Sequence, residues 1–254
     1  MLKVMPMKNL SYLFVLVLSL VTVPLVHAGE ANGYAADYGM LLSKYVQEGE
    51  KQGIKAMLVD YASWGKDPLH KMTLEALQQI NPESLSGKEK MAFWINAYNL
   101  LTIDLIIKTR ETESIRNQGS LFKNVWKSHD WEINGKRYTL DEIEHQILRP
   151  MGDPRIHVAI NCASLSCPDL RAEPYTAEKL ETQLDEQTTL FLTNKTKGVS
   201  VTNSGLKISE IFKWFAEDFG GEKGVEKFIH RHLPQTSDKK TDDYFDYNWS
   251  LNSQ

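Results

Sequence analysis

The sequence predicts an α+β fold, mostly helical, in which a single domain surrounds one buried central helix and carries a small antiparallel sheet made of hairpins. Three observations predict it. Ser86 followed by Glu89 is a capping box that opens a helix running to about Lys108, and Met91 to Ile103 carries no charge on any face. Asn134-Gly135 lies inside the alternating run Trp131 to Tyr138, and Asn203-Ser204-Gly205 lies inside Val199 to Ile208; both are hairpin signals. No repeat and no Pro/Gly/Ser-rich linker divides the rest into two units.

The elements follow in chain order. Residues 1–28 carry Lys3 and Lys8, an apolar run from Tyr12 to Val23, then Pro24 and Val26-His27-Ala28, with small residues where a signal peptidase reads. This predicts a secretory signal cut after Ala28 and a mature domain over 29–254. The apolar run is too short to span a bilayer, and no cysteine at the junction accepts a lipid. The expectation is a periplasmic or secreted protein with no membrane span after cleavage.

From Asn32 to Gln52 the spacing of Tyr34, Tyr38, Leu41, Leu42 and Tyr45 predicts a helix, and Ala56 to Tyr61 reads as extended. Leu69 to Ile80 is a short helix ended by Asn81-Pro82. In the central helix Asn96 and Asn99 are neighbours on one face, with Trp94 and Tyr98 on the adjoining stripe. A buried amide without a partner costs about 1–3 kcal/mol, so these two must fasten loops or meet a ligand.

After the first hairpin, Thr139 and Glu142 form a second capping box for a helix ending before Pro150. On it Ile143 and Ile147 face the core together, which places His145 and Arg149 on another stripe beside Glu144. Arg155 to Asn161 reads as a strand with Ile156, Val158 and Ile160 on one side. It leads into Cys162-Ala-Ser-Leu-Ser-Cys167-Pro168. Thr176 to Leu192 is amphipathic, Ser209 caps an aromatic-rich helix stopped by Gly220-Gly221, and a last helix carries His230 and His232 where a cation suits the helix dipole.

Composition excludes whole classes. Of 254 residues 42% are hydrophobic and 24% charged, and the net charge is −4, or −6 once the two leader lysines are cut away. No basic run exists, so no nucleic-acid footprint is present. Dinucleotide, P-loop, zinc-protease, α/β-hydrolase and CxxC signatures are missing as well. No cofactor is implied. The partner expected is a small-molecule or peptide ligand, and the oligomeric state stays open.

What remains is His145, His157, Cys162 and Cys167. A thiolate nucleophile needs one cysteine, one histidine and a third group that orients the ring. A zinc site would use two of each, but their spacing matches no standard finger, so no metal is assigned. A local disulfide needs only the two thiols and an oxidising compartment.

Phe93-Trp-Ile-Asn-Ala-Tyr-Asn99, Asp141-Glu-Ile-Glu-His-Gln-Ile-Leu-Arg-Pro150, Asp153-Pro-Arg-Ile-His-Val-Ala-Ile-Asn-Cys-Ala-Ser-Leu-Ser-Cys-Pro168, Ile211-Phe-Lys-Trp-Phe-Ala-Glu-Asp-Phe219 and Asp246-Tyr-Asn-Trp-Ser-Leu-Asn252 together resemble the domain of unknown function 547 (DUF547) family, exported bacterial type. The resemblance covers nearly all of 29–254. It implies importance for Asn96, Tyr98, Asn99, Glu144, His145, Arg149, His157, Cys162, Cys167 and Pro168, and names no activity.

The leading expectation is cysteine-dependent acyl or thiol transfer, or hydrolysis, on a small peptide-like or amide substrate. Cys162 is the nucleophile and His145 the base, oriented by Glu144 or an asparagine of the central helix, with His157 the competing base. Asn96, Tyr98, Asn99 and Asn161 contact substrate, and Arg149 holds a substrate carboxylate. The alternative is a non-catalytic periplasmic binding or interaction module with a Cys162–Cys167 disulfide, or a protein that binds a small thiol such as glutathione. Tyr247 and Trp249 are expected to close the core.

Overall fold

The computed structural model describes residues 28–119 and 124–254. The predicted signal segment therefore lies outside the described residues except for Ala28, where the first helix begins. No helix among the described residues is long and apolar enough to cross a membrane.

Helix α1 (Ala28–Tyr45) buries Tyr34, Tyr38, Leu41, Leu42 and Tyr45, the five residues whose spacing predicts it. It ends at Tyr45, seven residues before the expected boundary, because β1 (Val46–Lys51) and β2 (Ile54–Val59) form an antiparallel hairpin. Its turn is Gln52-Gly53, both at positive φ. Glutamine is not an expected first residue for that turn, so the sequence hides it. A single turn, α2 (Tyr61–Trp64), precedes α3 (Pro68–Gln79), which has Asp67 as its cap and Pro68 at its first position.

Helix α4 (Gly87–Thr109) is the centre of the molecule. Its capping box forms as expected, and every residue from Ala92 to Ile106 is buried. A helix buried all round must satisfy its polar side chains internally. Asp104 does so by accepting from Trp131 Nε1 at 2.6 Å and Lys108 Nζ at 2.6 Å, with His70 Nε2 at 3.2 Å. Those bonds tie α3 and the next hairpin to the central helix.

After the short α5 (Val125–Ser128), strands β3 (Asp130–Ile133) and β4 (Lys136–Thr139) turn on Asn134-Gly135 at positive φ, as predicted. The Thr139–Glu142 capping box also forms and starts α6 (Leu140–Glu142). The helix then widens into a π-turn over Ile143–Leu148 and a 3₁₀ turn over Arg149–Met151. It thus continues past the expected stop, and the extra residue changes its phase. Ile143 and Leu148 are buried, and Ile147 is only half-buried.

Arg155 to Asn161 is not a strand. Ile156–Ala159 is a helical turn, α7. Asp153 Oδ1 accepts from Arg155 N at 2.9 Å and Pro154 supplies a fixed φ, so Asp153-Pro154 start a helical turn. All four residues of α7 are buried, so the alternation of Ile156 and Val158 reports no strand face. Arg155 pairs with Asp153, Glu181 and Asp185, which pins α7 to α8 (Leu180–Thr193).

Strands β5 (Val199–Val201) and β6 (Leu206–Ile208) form the second predicted hairpin, and β7 (Thr241–Tyr244) adds to β6 in parallel. The sheet content is therefore three small sheets, one with a parallel pair. Ser209 Oγ accepts from Ile211 N as expected, but the aromatic helix breaks at Phe215 into α9 (Ile211–Trp214) and a 3₁₀ turn over Ala216–Phe219. Helix α10 (Glu222–His232) ends the helical part.

Two apolar clusters result. The larger surrounds α4, and the smaller joins Val158 and Phe191 to Phe212, Val225 and Ile229. The loop from Ile160 to Pro168 runs between them.

Candidate active site

That loop is held by amides. Asn99 on α4 donates to Ala159 O at 3.0 Å and accepts from Asn161 N at 2.7 Å. Asn161 donates to Pro168 O at 2.7 Å and accepts from Ala163 N at 2.9 Å. Ala163 sits at φ 57°, in the left-handed region that costs a non-glycine residue about 1–2 kcal/mol, so the surroundings must enforce it. The C-terminal segment supplies the opposite clamp. Leu165 N donates to Ser250 O at 2.9 Å, and Asn252 N donates to Ala163 O at 3.1 Å.

Between the clamps Cys162 borders a cavity of about 290 Å³. Its Sγ lies 3.2 Å from Ser164 Oγ and 3.3 Å from Tyr247 Oη. Burial pushes this thiol up, but hydrogen bonds from Cys167, Ser164 and Tyr247 outweigh that and hold it below its ordinary value. The Cys167 thiol is pushed up by burial and by the neighbouring Cys162 charge. Both cysteines are free thiols, close but not bonded. One is poised as a thiolate and the other stays protonated.

Glu144 borders the same cavity. It is buried, and Tyr98 Oη donates to its Oε2 at 3.3 Å. Burial pushes its carboxyl up to about 7, with the Cys162 charge adding to the effect. A carboxyl in that range can release or accept a proton near neutral pH.

The histidines are held by other partners. His145 stands at the rim with Nδ1 3.1 Å from Arg149 Nη1. A guanidinium only donates, so Nδ1 accepts and Nε2 carries the proton, 3.8 Å from Asp141 Oδ1. Burial holds its pKa below the ordinary value. His157 stacks on Phe215 with ring centroids 4.0 Å apart, and its Nε2 lies 2.7 Å from Asp218 Oδ2. Burial outweighs that carboxylate and pulls His157 down to about 4. Among the described residues, neither imidazole is hydrogen-bonded to Cys162.

Arg149 clamps Asp218 with both edges of its fork, Nε to Oδ2 at 2.6 Å and Nη2 to Oδ1 at 2.8 Å. Its charge is matched inside the protein and it does not line the cavity, so the expected carboxylate-holding task has no place here. Asn96 fastens Tyr175, donating to its O at 2.8 Å and accepting from its N at 2.9 Å. Asn96, Asn99 and Asn161 are thus fasteners outside the cavity lining. Tyr98, Glu144, His145, His157, Cys162 and Cys167 do meet there.

The sequence missed the aromatic wall and the Asp218 hub. Trp126, Trp214, Tyr247 and Trp249 line the cavity beside Cys162. Tyr247 and Trp249 are half-buried and pack against Trp214 with centroids 4.7 and 5.8 Å away, so they wall a site as well as close the core. The aromatic density of Ile211–Phe219 and of Asp246–Trp249 is the signal that could have found them. Among the described residues no three His, Cys, Asp or Glu side chains are grouped to hold a metal.

Residues 82–192 match the family described as "Protein of unknown function, DUF547". That segment contains α4, the π-turn and the cysteine loop, but not the aromatic wall of α9 and the C-terminal segment. No curated protein and no solved structure matches the chain.

Proposed function

With residues 82–192 marking the chain as a DUF547 protein, we propose that it is an exported cysteine-dependent acyl transferase or hydrolase for a small amide or peptide-like substrate. The observation that carries this reading is the pairing, on one cavity, of a thiol held below its ordinary value with a buried carboxyl held near 7. Such opposed shifts are what nucleophile and proton donor need.

The Cys162 thiolate attacks the substrate carbonyl carbon. A C–S bond forms as the C–N bond breaks, and the leaving amine takes the proton from Glu144. Water or an acceptor amine then attacks the thioester. Glu144 takes that nucleophile's proton, and Cys162 leaves as a thiolate. Tyr247 Oη and Ser164 Oγ, already on the sulfur, stabilise it each time it is released. His145 stands at the mouth and His157 backs the wall; neither is required for the proton transfer.

The test is an activated ester. With 4-nitrophenyl acetate the wild type releases a burst approaching one nitrophenolate per chain, and the Cys162→Ala protein releases none. Cys167→Ala keeps the burst. An undiminished burst from Cys162→Ala removes the nucleophile and leaves the non-catalytic module.

A further inference from the structure

The cavity's walls say what the acyl group is, provided that Cys162 is the nucleophile proposed above. Trp214, Tyr247 and Trp249 lie with centroids 4.5 to 5.8 Å apart, and Trp126 joins Trp249 at 5.7 Å. Rings this close pack on each other. No cation fits between them, so they form a continuous wall and not a cage around an ammonium group. Arg116, which does not line the cavity, already lies 5.3 Å from the Trp249 ring.

Charge points the same way. No lysine or arginine among the described residues lines the cavity, whereas Asp141 and Glu144 do. Arg149, the nearest candidate for an anion, is clamped by Asp218. A carboxylate brought beside Cys162 would meet a thiolate and Asp141 with nothing to pair with. Asp141 is itself engaged, 3.6 Å from Lys127 Nζ, so it offers little to a cation.

We infer that the site accepts an uncharged, flat acyl group, laid against the Trp214–Tyr247–Trp249 wall with its carbonyl at Cys162, and rejects acyl groups bearing a carboxylate. A ring or a conjugated chain stacks on such a wall at little conformational cost, whereas a saturated charged chain gains nothing from it.

Three alkylating reagents that differ only in what they carry test this without a known substrate. In each the thiolate displaces iodide and forms one S–C bond. Rates of modification at Cys162 by iodoacetate, iodoacetamide and N-phenyliodoacetamide are read by peptide mass, each divided by its rate with a small free thiol. The phenyl amide should be favoured over the parent amide by up to about tenfold, and iodoacetate disfavoured by about tenfold or more. In Trp214→Ala, and separately in Trp126→Ala should the first not fold, the phenyl-to-parent ratio should fall towards one. Iodoacetate matching iodoacetamide, or no advantage for the phenyl reagent, overturns the inference and leaves the nucleophile standing. If no reagent reaches Cys162 near neutral pH, the nucleophile reading fails and takes the inference with it.

Discussion

Cys167 Sγ lies 2.8 Å from the backbone nitrogen of Cys162 and accepts its hydrogen bond. The two sulfurs thus have unlike surroundings although only five residues separate them. Cys162 has hydroxyls on it and faces the cavity, whereas Cys167 is buried beneath the loop with its thiol 3.9 Å from Ile160 O.

In the native protein Cys162 should alkylate with a pH midpoint below the roughly 8.5 of a free thiol, while Cys167 stays unlabelled until unfolding. Intact mass with iodoacetamide between pH 5 and 10, followed by peptide mapping, reads both sites. Equal labelling of the two would contradict the asymmetry.

Glu144 makes stability fall as pH rises. Its folded pKa of about 7 lies above the ordinary 4.5, so the folded state binds the extra proton between those values. This contribution is complete below about 4.5 and lost as pH passes 7. Urea unfolding of Glu144→Gln should show a flatter profile across that window than the wild type. The same variant should lose most ester turnover, since glutamine neither gives nor takes a proton.

Asp218 joins Arg149 to His157, so Asp218→Asn should leave a guanidinium and an imidazole short of one acceptor charge. The pair is partly solvated, so the expected cost is about 1–3 kcal/mol, below that of breaking a fully buried pair. The midpoint of urea unfolding measures it. An unchanged midpoint would mean that water replaces the carboxylate.

Asn99→Ala removes two bonds to the cysteine loop and leaves Ala159 O and Asn161 N without their partner. We expect a loss of about 2–4 kcal/mol, from two buried groups at roughly 1–2 kcal/mol each. The alkylation rate of Cys162 should change with it, because the clamp sets the path of the chain into Ala163. Asn96→Ala should destabilise as well yet leave that rate alone, since Asn96 holds Tyr175.

The helices were legible where local chemistry and burial agree. The capping boxes at Ser86 and Thr139 and the charge-free run after Met91 all form as read. Asn134-Gly135 is legible because φ is positive at both positions, whereas Gln52-Gly53 makes the same turn from a residue that does not announce it. Ile156 to Ala159 misled because a fully buried turn carries no periodic signal, and Asp153-Pro154 was the better guide. The cysteines, Glu144 and two histidines could be gathered from sequence. The Asp218 clamp and the aromatic wall could not, since 69 residues separate Arg149 from Asp218, and Tyr247 lies 85 from Cys162.

The wide turn over Ile143–Leu148 makes this stretch intolerant of changes in length. Arg149 N donates to Glu144 O, one residue further back than in an ordinary α-helix. Deleting a single residue there would restore regular winding and rotate everything downstream by about 100° relative to Glu144. Arg149 would turn away from Asp218 while Glu144 kept its place against Tyr98. Spacing here is a sequence constraint separate from residue identity: substitutions at exposed Gln146 should be absorbed, and its removal should not.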